Sequence, residues 1–238
     1  MLKQTIKSML SFLHLDLTKN LKYDRLTAKI IKQVVKKESV CIDIGCHLGE
    51  ILDKIIKSAP HSNNFAFEPL PNFYNHIKQN FKVNLYPYAL SKSAGNIEFN
   101  YVENSPEYSG IKKRDYFGIK EPKVTMINVV METLDNVIPE NVKIDFIKID
   151  VEGAEYDVLI GAKQTILKSK PTIIFEFGIG ASNHYGVNPK DMYELLVDQY
   201  GMKLYTLQEY LKSKNPFDKN GFVESYNKKK DYYFIASY

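Results

Sequence analysis

Residues 40–50 read VCIDIGCHLGE, an apolar run that passes into a glycine-containing turn. The run carries the acidic residue Asp43, and the turn carries Gly45 and Gly49. Glycine lets the backbone turn sharply and approach a ligand because it has no Cβ. A helix that begins after such a turn directs its N-terminus at the same place. The stretch predicts a buried strand, a ligand-binding turn and a helix. It is not the dinucleotide fingerprint, since His47 stands where Gly-x-Gly-x-x-Gly requires glycine.

Beyond this stretch, short apolar runs alternate with helical patterns. Strands buried on both faces read as continuous apolar runs, and their alternation with helices implies right-handed crossovers between parallel strands. The apolar runs are 40–45, 65–68, 83–90, 144–150, 172–177 and 232–237, and the helical candidates are 48–58, 71–80, 153–169 and 189–200. The pattern predicts an α/β fold with an open, mainly parallel sheet flanked by helices.

Two segments do not follow this alternation. Residues 1–39 carry apolar residues at helical spacing, which predicts an N-terminal helical extension that packs on the main domain of residues 40–238. A substrate lid, a dimer surface and a membrane-surface helix are the alternatives for this extension. Residues 91–143 hold more chain than a simple crossover needs, and long loops in compact domains are often functional. We therefore expect a substrate-shaping insertion at about 91–143.

Composition limits the class of partner. Of 238 residues, 32 are Lys or Arg and 28 are Asp or Glu, which gives a net charge of +4. So small a surplus, without a basic stripe, disfavours a nucleic-acid partner. No apolar run approaches the length of a membrane span, so we expect no stable membrane insertion. Cys41 and Cys46 are too few for a disulfide framework and fit a reducing compartment, which predicts a cytoplasmic protein.

A second acidic residue ends the next apolar run. Glu68 lies in FAFEPLP (65–71), 19 residues after Gly49. At about this offset a carboxylate reaches the ribose diol in nucleotide-binding α/β folds. Because a carboxylate accepts hydrogen bonds from both hydroxyls of a diol, Glu68 is a candidate cofactor ligand. The alternative is a surface carboxylate at the end of a strand.

Acidic residues also end two later runs. Asp150 follows IDFIKI at the predicted carboxyl edge of the sheet, where open α/β sheets bind ligands. Glu176 ends TIIFE, and a carboxylate in such a run is not left unpaired in a core. Together they suit orienting a substrate hydroxyl, sharing a proton or holding a divalent metal, and no metal is predicted. His184, in the following loop, is a candidate general base, or a loop histidine without a role.

The string IDFIKIDVEGAEYDVLIGA at 144–162 carries a family resemblance. Together with DIGCHLG (43–49), FAFEPLP (65–71), ALSKSAG (89–95), ETLDNVI (132–138) and IIFEFG (173–178), it resembles the FkbM family of methyltransferases. These motifs occur in order over about residues 40–180. The resemblance implies a Rossmann-like class I methyltransferase fold with a seven-stranded sheet, and S-adenosylmethionine (SAM) as methyl donor.

The resemblance also implies roles for individual residues. Asp43 would stand near the methionine ammonium of SAM, Gly45 and Gly49 would make room for the cofactor, and Ala89 would lie beside it. His47 stands where family members commonly have Asn, and we expect it to be structural or a cofactor contact.

The resulting expectation is a SAM-dependent methyltransferase that O-methylates a sugar hydroxyl. The acceptor would be a small molecule, a sugar nucleotide, a glycan or a glycosylated natural product. Asp150 would lie between cofactor and acceptor, with Glu176 and His184 on the acceptor side. The alternatives are an N-methyltransferase acting on a small amine or amide, a SAM-binding module without turnover, and a NAD-type α/β enzyme. A homodimer is compatible with the sequence.

Overall fold

A computed structural model describes residues 18–113, 119–212 and 215–238. The strands are β1 (Cys41–Ile44), β2 (Phe65–Phe67), β3 (Asn84–Tyr86), β4 (Tyr88–Leu90), β5 (Gly95–Val102), β6 (Val124–Glu132), β7 (Phe146–Ile149), β8 (Thr172–Glu176), β9 (Lys203–Thr206) and β10 (Tyr233–Ser237). The α-helices are α1 (Lys19–Val34), α2 (Glu50–Ser58), α3 (Pro71–Asn80), α4 (Leu134–Val137), α5 (Glu155–Ile160), α6 (Lys163–Ser169), α7 (Pro189–Tyr193), α8 (Leu207–Lys212) and α9 (Lys219–Asn227).

The main sheet has seven strands in the order β3-β2-β1-β7-β8-β10-β9. Strands β3, β2, β1, β7 and β8 pair in parallel, and β10 runs antiparallel between β8 and β9. From β1 the chain adds β2 and β3 on one side of the sheet. It then crosses over to place β7 and β8 on the other side of β1. Such a reversal leaves a crevice outside the carboxyl ends of the two strands. The predicted open, mainly parallel sheet flanked by helices is confirmed.

The direction of β10 matters for the site. Because this strand is antiparallel, its first residues lie at the edge where the parallel strands end. The register pairs Tyr233, the first residue of β10, with Glu176, the last residue of β8. The start of the last strand therefore faces the crevice.

The apolar run 83–90, predicted as one strand, is two strands in different sheets. Pro87 separates β3 from β4, and proline has no N–H to donate to a continuing ladder. Strand β4 pairs with β6, and β6 pairs with β5, in a second sheet of three strands in the order β4-β6-β5. The segment 91–143 therefore contributes two strands, β5 and β6, to this second sheet.

Three further elements differ from the sequence prediction. The helical candidate 153–169 is interrupted at Gly161, where a Cβ would lie 2.1 Å from the Ser91 carbonyl oxygen. The candidate 189–200 begins as α7 and continues as a π-helix over Glu194–Gln199. Strand β9 was not predicted, because four residues beginning with an exposed lysine give no clear apolar pattern.

Helix α1 packs on the main sheet. The Thr18 side chain accepts a hydrogen bond from the Leu21 N–H and caps its N-terminus. Its buried residues pack with apolar side chains of β1, β7, β8 and β10; they are Tyr23, Leu26, Ile30 and Ile31. The predicted helical pattern before residue 18 lies outside the described residues, and the division at residue 39 stays a prediction. Among the helices described, none is long and apolar enough to cross a membrane.

Candidate functional site

A cavity of about 510 Å³ opens at the carboxyl edge of the main sheet. This volume is within the range of small-molecule sites. Its walls come from the turn after β1, the ends of β2, β4, β7 and β8, the start of β10, helix α1 and the segment that follows β5. The predicted site residues that line it are Gly45, His47, Glu68, Ala89, Asp150 and Glu176. Asp43, Gly49 and His184 lie outside its lining.

Gly45 has no room for a side chain. Its φ is +73°, and a Cβ would lie 1.9 Å from the Asp150 carbonyl oxygen. Its N–H donates a hydrogen bond to the Phe67 carbonyl oxygen at 2.9 Å. The turn after β1 is thus held between the ends of β2 and β7, with its backbone against the cavity. Glycine is required here by the approach of two main chains as well as by the conformation.

Asp43 lies beneath this turn rather than in the cavity. Its carboxylate is completely buried, and the Lys148 ammonium approaches one oxygen at 3.5 Å. Lys148 Nζ also donates to the Gly45 carbonyl oxygen at 2.9 Å and pairs with Asp150 Oδ2 at 3.4 Å. The expected contact of Asp43 with the methionine ammonium stays a prediction; in this structure the ammonium beside Asp43 is that of Lys148. Asp43 supports the turn through this lysine.

Glu68 ties the turn to the end of β2. One of its oxygens accepts the His47 N–H at 2.8 Å, and the other accepts the Leu70 N–H at 3.0 Å. Burial raises the pKa of the Glu68 carboxyl to about 7, although these two N–H groups oppose the rise. Each carboxylate oxygen has a second lone pair, so Glu68 can also accept hydrogen bonds from a ligand in the cavity.

His47 combines a constrained backbone with a packed ring. Its φ is +49°, and its imidazole packs against the Phe73 ring with centroids 4.0 Å apart. Burial lowers the pKa of His47 below its usual value, so the ring is neutral near pH 7. The neutral imidazole and the Phe73 ring together line this side of the cavity.

Gly49 has a packing reason to be glycine. It is the N-cap residue of α2, with φ +83°. A Cβ at this position would lie 2.7 Å from the Phe81 ring and 2.8 Å from Ile77 Cδ1. Gly49 therefore allows α2 to pack against helix α3 and the residue that follows it. Its predicted role of making room for a cofactor stays a prediction.

Asp150 is the centre of the polar side of the cavity. The Tyr233 hydroxyl donates a hydrogen bond to Asp150 Oδ2 at 2.5 Å, and Lys148 approaches the same oxygen. Burial alone would raise the pKa of Asp150, but the Lys148 charge and hydrogen bonds from Glu176 and Tyr233 outweigh it and lower the pKa. Asp150 is thus held in one orientation as a carboxylate.

Three carboxyl groups converge at this position. Ligand oxygens of Asp150, Glu152 and Glu176 lie within 4.8 Å of one another. The side chains of Asp150 and Glu176 are hydrogen-bonded. Two carboxyl groups that share a hydrogen bond hold one proton between them. The same three oxygens are the ligand type that divalent cations prefer, so they are also the residues that would hold a metal.

His184 is not brought to this centre. It lies in the 3₁₀ turn Ser182–Tyr185 that follows β8. The Lys112 ammonium donates to the His184 carbonyl oxygen at 3.4 Å, and the Lys112 N–H donates to the Tyr185 hydroxyl. The turn packs on the segment after β5, away from the cavity lining. The catalytic role predicted for His184 has no support from this geometry and stays a prediction.

Sequence reasoning missed several residues of the cavity. From α1 come Asn20, Tyr23, Asp24 and Thr27; from the start of β10 come Tyr232 and Tyr233; and from the segment after β5 come Pro106, Glu107, Tyr108, Ser109 and Ile111. No sequence pattern gives the antiparallel direction of β10, which is what brings Tyr233 to the cavity. No local pattern distinguishes the helix residues, because they reach the cavity only through tertiary packing.

The chain matches the sequence model of one family, described as "Methyltransferase FkbM domain", over residues 43–204. It is 29% identical over 171 residues to the 2-O-methyltransferase NoeI of Sinorhizobium fredii, covering 64% of this chain and 68% of that protein. It is 28% identical over 184 residues to the hexuronic acid methyltransferase AglP of Haloferax volcanii, covering 75% of this chain and 70% of that protein.

The fold has a counterpart among solved structures. The crystal structure of methyltransferase FkbM from Methylobacillus flagellatus is similar with a TM-score of 0.51 and 15% identity. The similarity covers 85% of this chain and 44% of that one. The fold and the site define a SAM-dependent methyltransferase of class I. The chain belongs to the FkbM methyltransferase family, as the sequence motifs indicate.

Proposed function

We propose that this enzyme transfers a methyl group from SAM to a sugar hydroxyl. One observation carries the proposal: the hydrogen-bonded carboxyl pair of Asp150 and Glu176 lies in the same cavity as the turn at Gly45. A carboxylate beside a cofactor-sized recess suits removal of a proton from the acceptor. The names of NoeI and AglP, a 2-O-methyltransferase and a hexuronic acid methyltransferase, support an oxygen acceptor on a sugar.

The residues of one half of the cavity fit SAM. Glu68 presents a buried carboxylate that has lone pairs left for the two ribose hydroxyls. Ala89, Leu70 and Phe99 form an apolar cluster on the same side, suited to a flat base. The Gly45 turn brings backbone to the cavity. When bound, SAM supplies an electrophilic methyl group on a sulfonium, and its loss leaves S-adenosylhomocysteine (SAH).

The other half of the cavity handles the acceptor. Asp150, fixed by Lys148 and Tyr233, accepts a hydrogen bond from the sugar hydroxyl and orients its oxygen. A sugar hydroxyl is a weak acid, so its proton must leave as the new C–O bond forms. Asp150, which the charge of the neighbouring Lys148 holds as a carboxylate, takes up this proton. Helix α1 and the segment after β5 close this half and are proposed to shape the acceptor.

The first test is calorimetric titration of the protein with SAH. We expect wild type to bind, and Glu68→Gln to bind about ten- to a hundredfold more weakly, since a carboxylate that meets the ribose diol is lost. The matched control is Glu98→Gln, which removes an exposed carboxylate on β5 outside the cavity and should leave binding unchanged. Wild type that does not bind SAH would contradict the cofactor site.

The second test follows methyl transfer from radiolabelled SAM to sugar acceptors. We expect transfer to a hydroxyl, with a product that is stable to base as an ether is and an ester is not. Transfer to an amine in place of a hydroxyl would support the N-methyltransferase alternative. SAH binding without transfer to sugars or amines would support a binding module.

A further inference from the structure

Glu152 has a backbone conformation that glutamate seldom adopts. Its φ is +62°, in the left-handed region, and the next residue, Gly153, has φ +108°. A residue with a Cβ is disfavoured in this region. Such residues persist where the surrounding structure holds them, and they cluster at active sites and ligand clamps. Glu152 lines the cavity two residues after Asp150, and no step of the proposed methyl transfer uses it.

The surrounding structure fixes the turn that contains Glu152 from two sides. Glu155 is 1% exposed, and one of its carboxyl oxygens accepts the Val151 N–H at 3.0 Å and the Gly153 N–H at 3.1 Å. A Cβ at Gly153 would lie 2.7 Å from the Ala181 carbonyl oxygen, so the turn also packs against the main chain that follows β8. Glu152 lies between the two bonded N–H groups and is therefore held in its left-handed conformation.

In this conformation the carboxyl group of Glu152 lies in the acceptor half of the cavity. One of its oxygens is within 4.8 Å of an oxygen of Asp150 and of Glu176. A Cβ at Gly110 would lie 3.7 Å from Glu152 Cβ, so the segment after β5 passes beside the residue. Each carboxyl oxygen can accept more than one hydrogen bond. Asp150 and Glu152 are thus close enough to accept hydrogen bonds from two hydroxyls of one sugar ring.

We infer that Glu152 is a specificity-determining residue that binds a second hydroxyl of the acceptor sugar, beside the hydroxyl that Asp150 orients. Glu155 is its positioning residue. The enzyme therefore selects sugars that carry a free hydroxyl next to the methylated position. Glycine at position 152 would relieve the strained φ, but it would also remove this contact. The inference rests on the proposed sugar methyltransferase function and narrows its substrate class.

The experiment compares an accepted sugar with analogues that lack one neighbouring hydroxyl. Methyl transfer from radiolabelled SAM is first followed on p-nitrophenyl hexosides of the gluco, galacto and manno series, and NMR of the product identifies the methylated position. The deoxy analogues at each adjacent position are then compared with the parent sugar by kcat/KM, in EDTA and again with Mg²⁺. We expect the parent to exceed one of these analogues by at least about tenfold, because a carboxylate left without its hydroxyl disfavours the analogue.

Glu152→Gly separates the contact from stability. It should lower kcat/KM of the parent sugar to about that of the deoxy analogue, with KM for SAM unchanged. The midpoint of urea unfolding should stay the same or rise, because glycine adopts a left-handed φ without strain. The matched control is Glu121→Gly, since Glu121 also has a positive φ, +53°, but is exposed and lies outside the cavity lining. It should leave the preference for the parent sugar unchanged.

Glu155 is tested with and without Glu152. Glu155→Gln keeps an oxygen that can accept both N–H groups and should retain the preference. Glu155→Ala should lower kcat/KM for the parent sugar at least about tenfold and for the deoxy analogue much less; Glu155→Asp, with a shorter side chain, is the second variant should alanine unfold the protein. Made together with Glu152→Gly, the same change should lower the urea midpoint but lower kcat/KM by less than about threefold. A residue with a purely structural role would lower activity equally in both backgrounds.

The outcomes separate the inference from the function on which it rests. Equal kcat/KM for the parent sugar and its adjacent deoxy analogues overturns the inference and leaves a sugar methyltransferase standing. A preference that is unchanged in Glu152→Gly also overturns it. So does a preference that appears only with Mg²⁺, since Glu152 would then act through a cation. Failure to methylate any sugar by a protein that binds SAH overturns the proposed function and the inference with it.

Discussion

The Tyr233 hydroxyl donates a 2.5 Å hydrogen bond to Asp150 Oδ2, and the two residues are joined across the edge of the main sheet. Tyr233 begins the antiparallel strand β10, whereas Asp150 follows the parallel strand β7. Burial and nearby carboxylates raise the pKa of Tyr233 well above its usual value, so the hydroxyl keeps its proton. The tyrosine therefore acts as a permanent donor that orients the carboxylate.

Tyr233→Phe tests this positioning role. We expect kcat to fall about tenfold with little change in KM for SAM, because Asp150 loses one of the hydrogen bonds that orient it. The acidic limb of the pH–rate profile should move to higher pH, since the lost hydrogen bond had lowered the pKa of Asp150. Tyr200→Phe is the control, because the Tyr200 hydroxyl also donates a buried hydrogen bond, to the Leu159 carbonyl oxygen, but Tyr200 lies outside the cavity lining. A loss of stability without a shifted profile would indicate a purely structural role.

Lys148→Met should destabilise the fold strongly. The ammonium pairs with Asp43 and Asp150, and its removal leaves the Asp43 carboxylate buried without a cation. We expect the free energy of unfolding in urea to fall by about 3–5 kcal/mol. Combining it with Asp43→Asn should restore part of the loss, because the buried charge is then also removed.

The matched control for this lysine is Lys219→Met. Lys219 pairs with Glu194 and Asp198 at 3.1 Å, but all three side chains are largely exposed. Solvent screens such pairs, so we expect little change in stability. If the two lysine variants lost the same free energy of unfolding, burial would not be the reason that the ion pairs of Lys148 stabilise the fold.

Binding of SAH should depend on pH through Glu68. Burial raises the pKa of this carboxyl to about 7, and a ribose diol donates to the ionised form. Affinity should therefore be about tenfold weaker at pH 6 than at pH 8. Glu68→Gln, which cannot ionise, should bind weakly at both pH values. An equally steep dependence in the variant would assign the titration to another group.

The same carboxyl affects stability with a definite sign. Between its unfolded pKa of about 4.5 and its folded pKa of about 7, the folded state holds a proton that the unfolded chain has released. The stability contributed by Glu68 is thus present below this window and is lost as the pH rises through it. The difference in free energy of unfolding between wild type and Glu68→Gln should fall from pH 5 to pH 7 and level above that.

The sequence predicted those residues of the site that directly follow a strand. The turn at Gly45, the carboxylate at Glu68 and Asp150 each follow a strand, and parallel strands end at one edge of the sheet. The contact between the rings of Tyr23 and Tyr233 is not local in the sequence. These two residues meet only after β10 has inserted antiparallel between β8 and β9. An antiparallel strand contributes its first residues to the sheet edge at which the parallel strands end. The apolar runs of the sequence indicate where strands lie in the chain but not in which direction they run in the sheet.

Glycine motifs show a second limit of sequence reasoning. Gly49 fits a cofactor motif, yet a Cβ there would lie 2.7 Å from the Phe81 ring. Gly49→Ala should lower the free energy of unfolding by about 1–3 kcal/mol through overpacking and a strained φ. Adding Phe81→Leu should restore the part due to the ring. If Gly49→Ala instead lost SAH binding at unchanged stability, and Phe81→Leu rescued nothing, the result would support the cofactor role of Gly49.

The carboxyl pair and His184 can be separated as proton acceptors by four variants. Asp150→Asn keeps the shape of the side chain but removes the carboxylate, so kcat should fall at least about a hundredfold while SAH still binds. Glu176→Gln should cost less than Glu176→Ala, because an amide can still donate to Asp150 as the protonated carboxyl does. His184→Ala should change kcat less than about threefold, since His184 lies outside the cavity lining. If His184→Ala instead lowered kcat as far as Asp150→Asn does, the general base would be the histidine and Asp150 would only orient the acceptor.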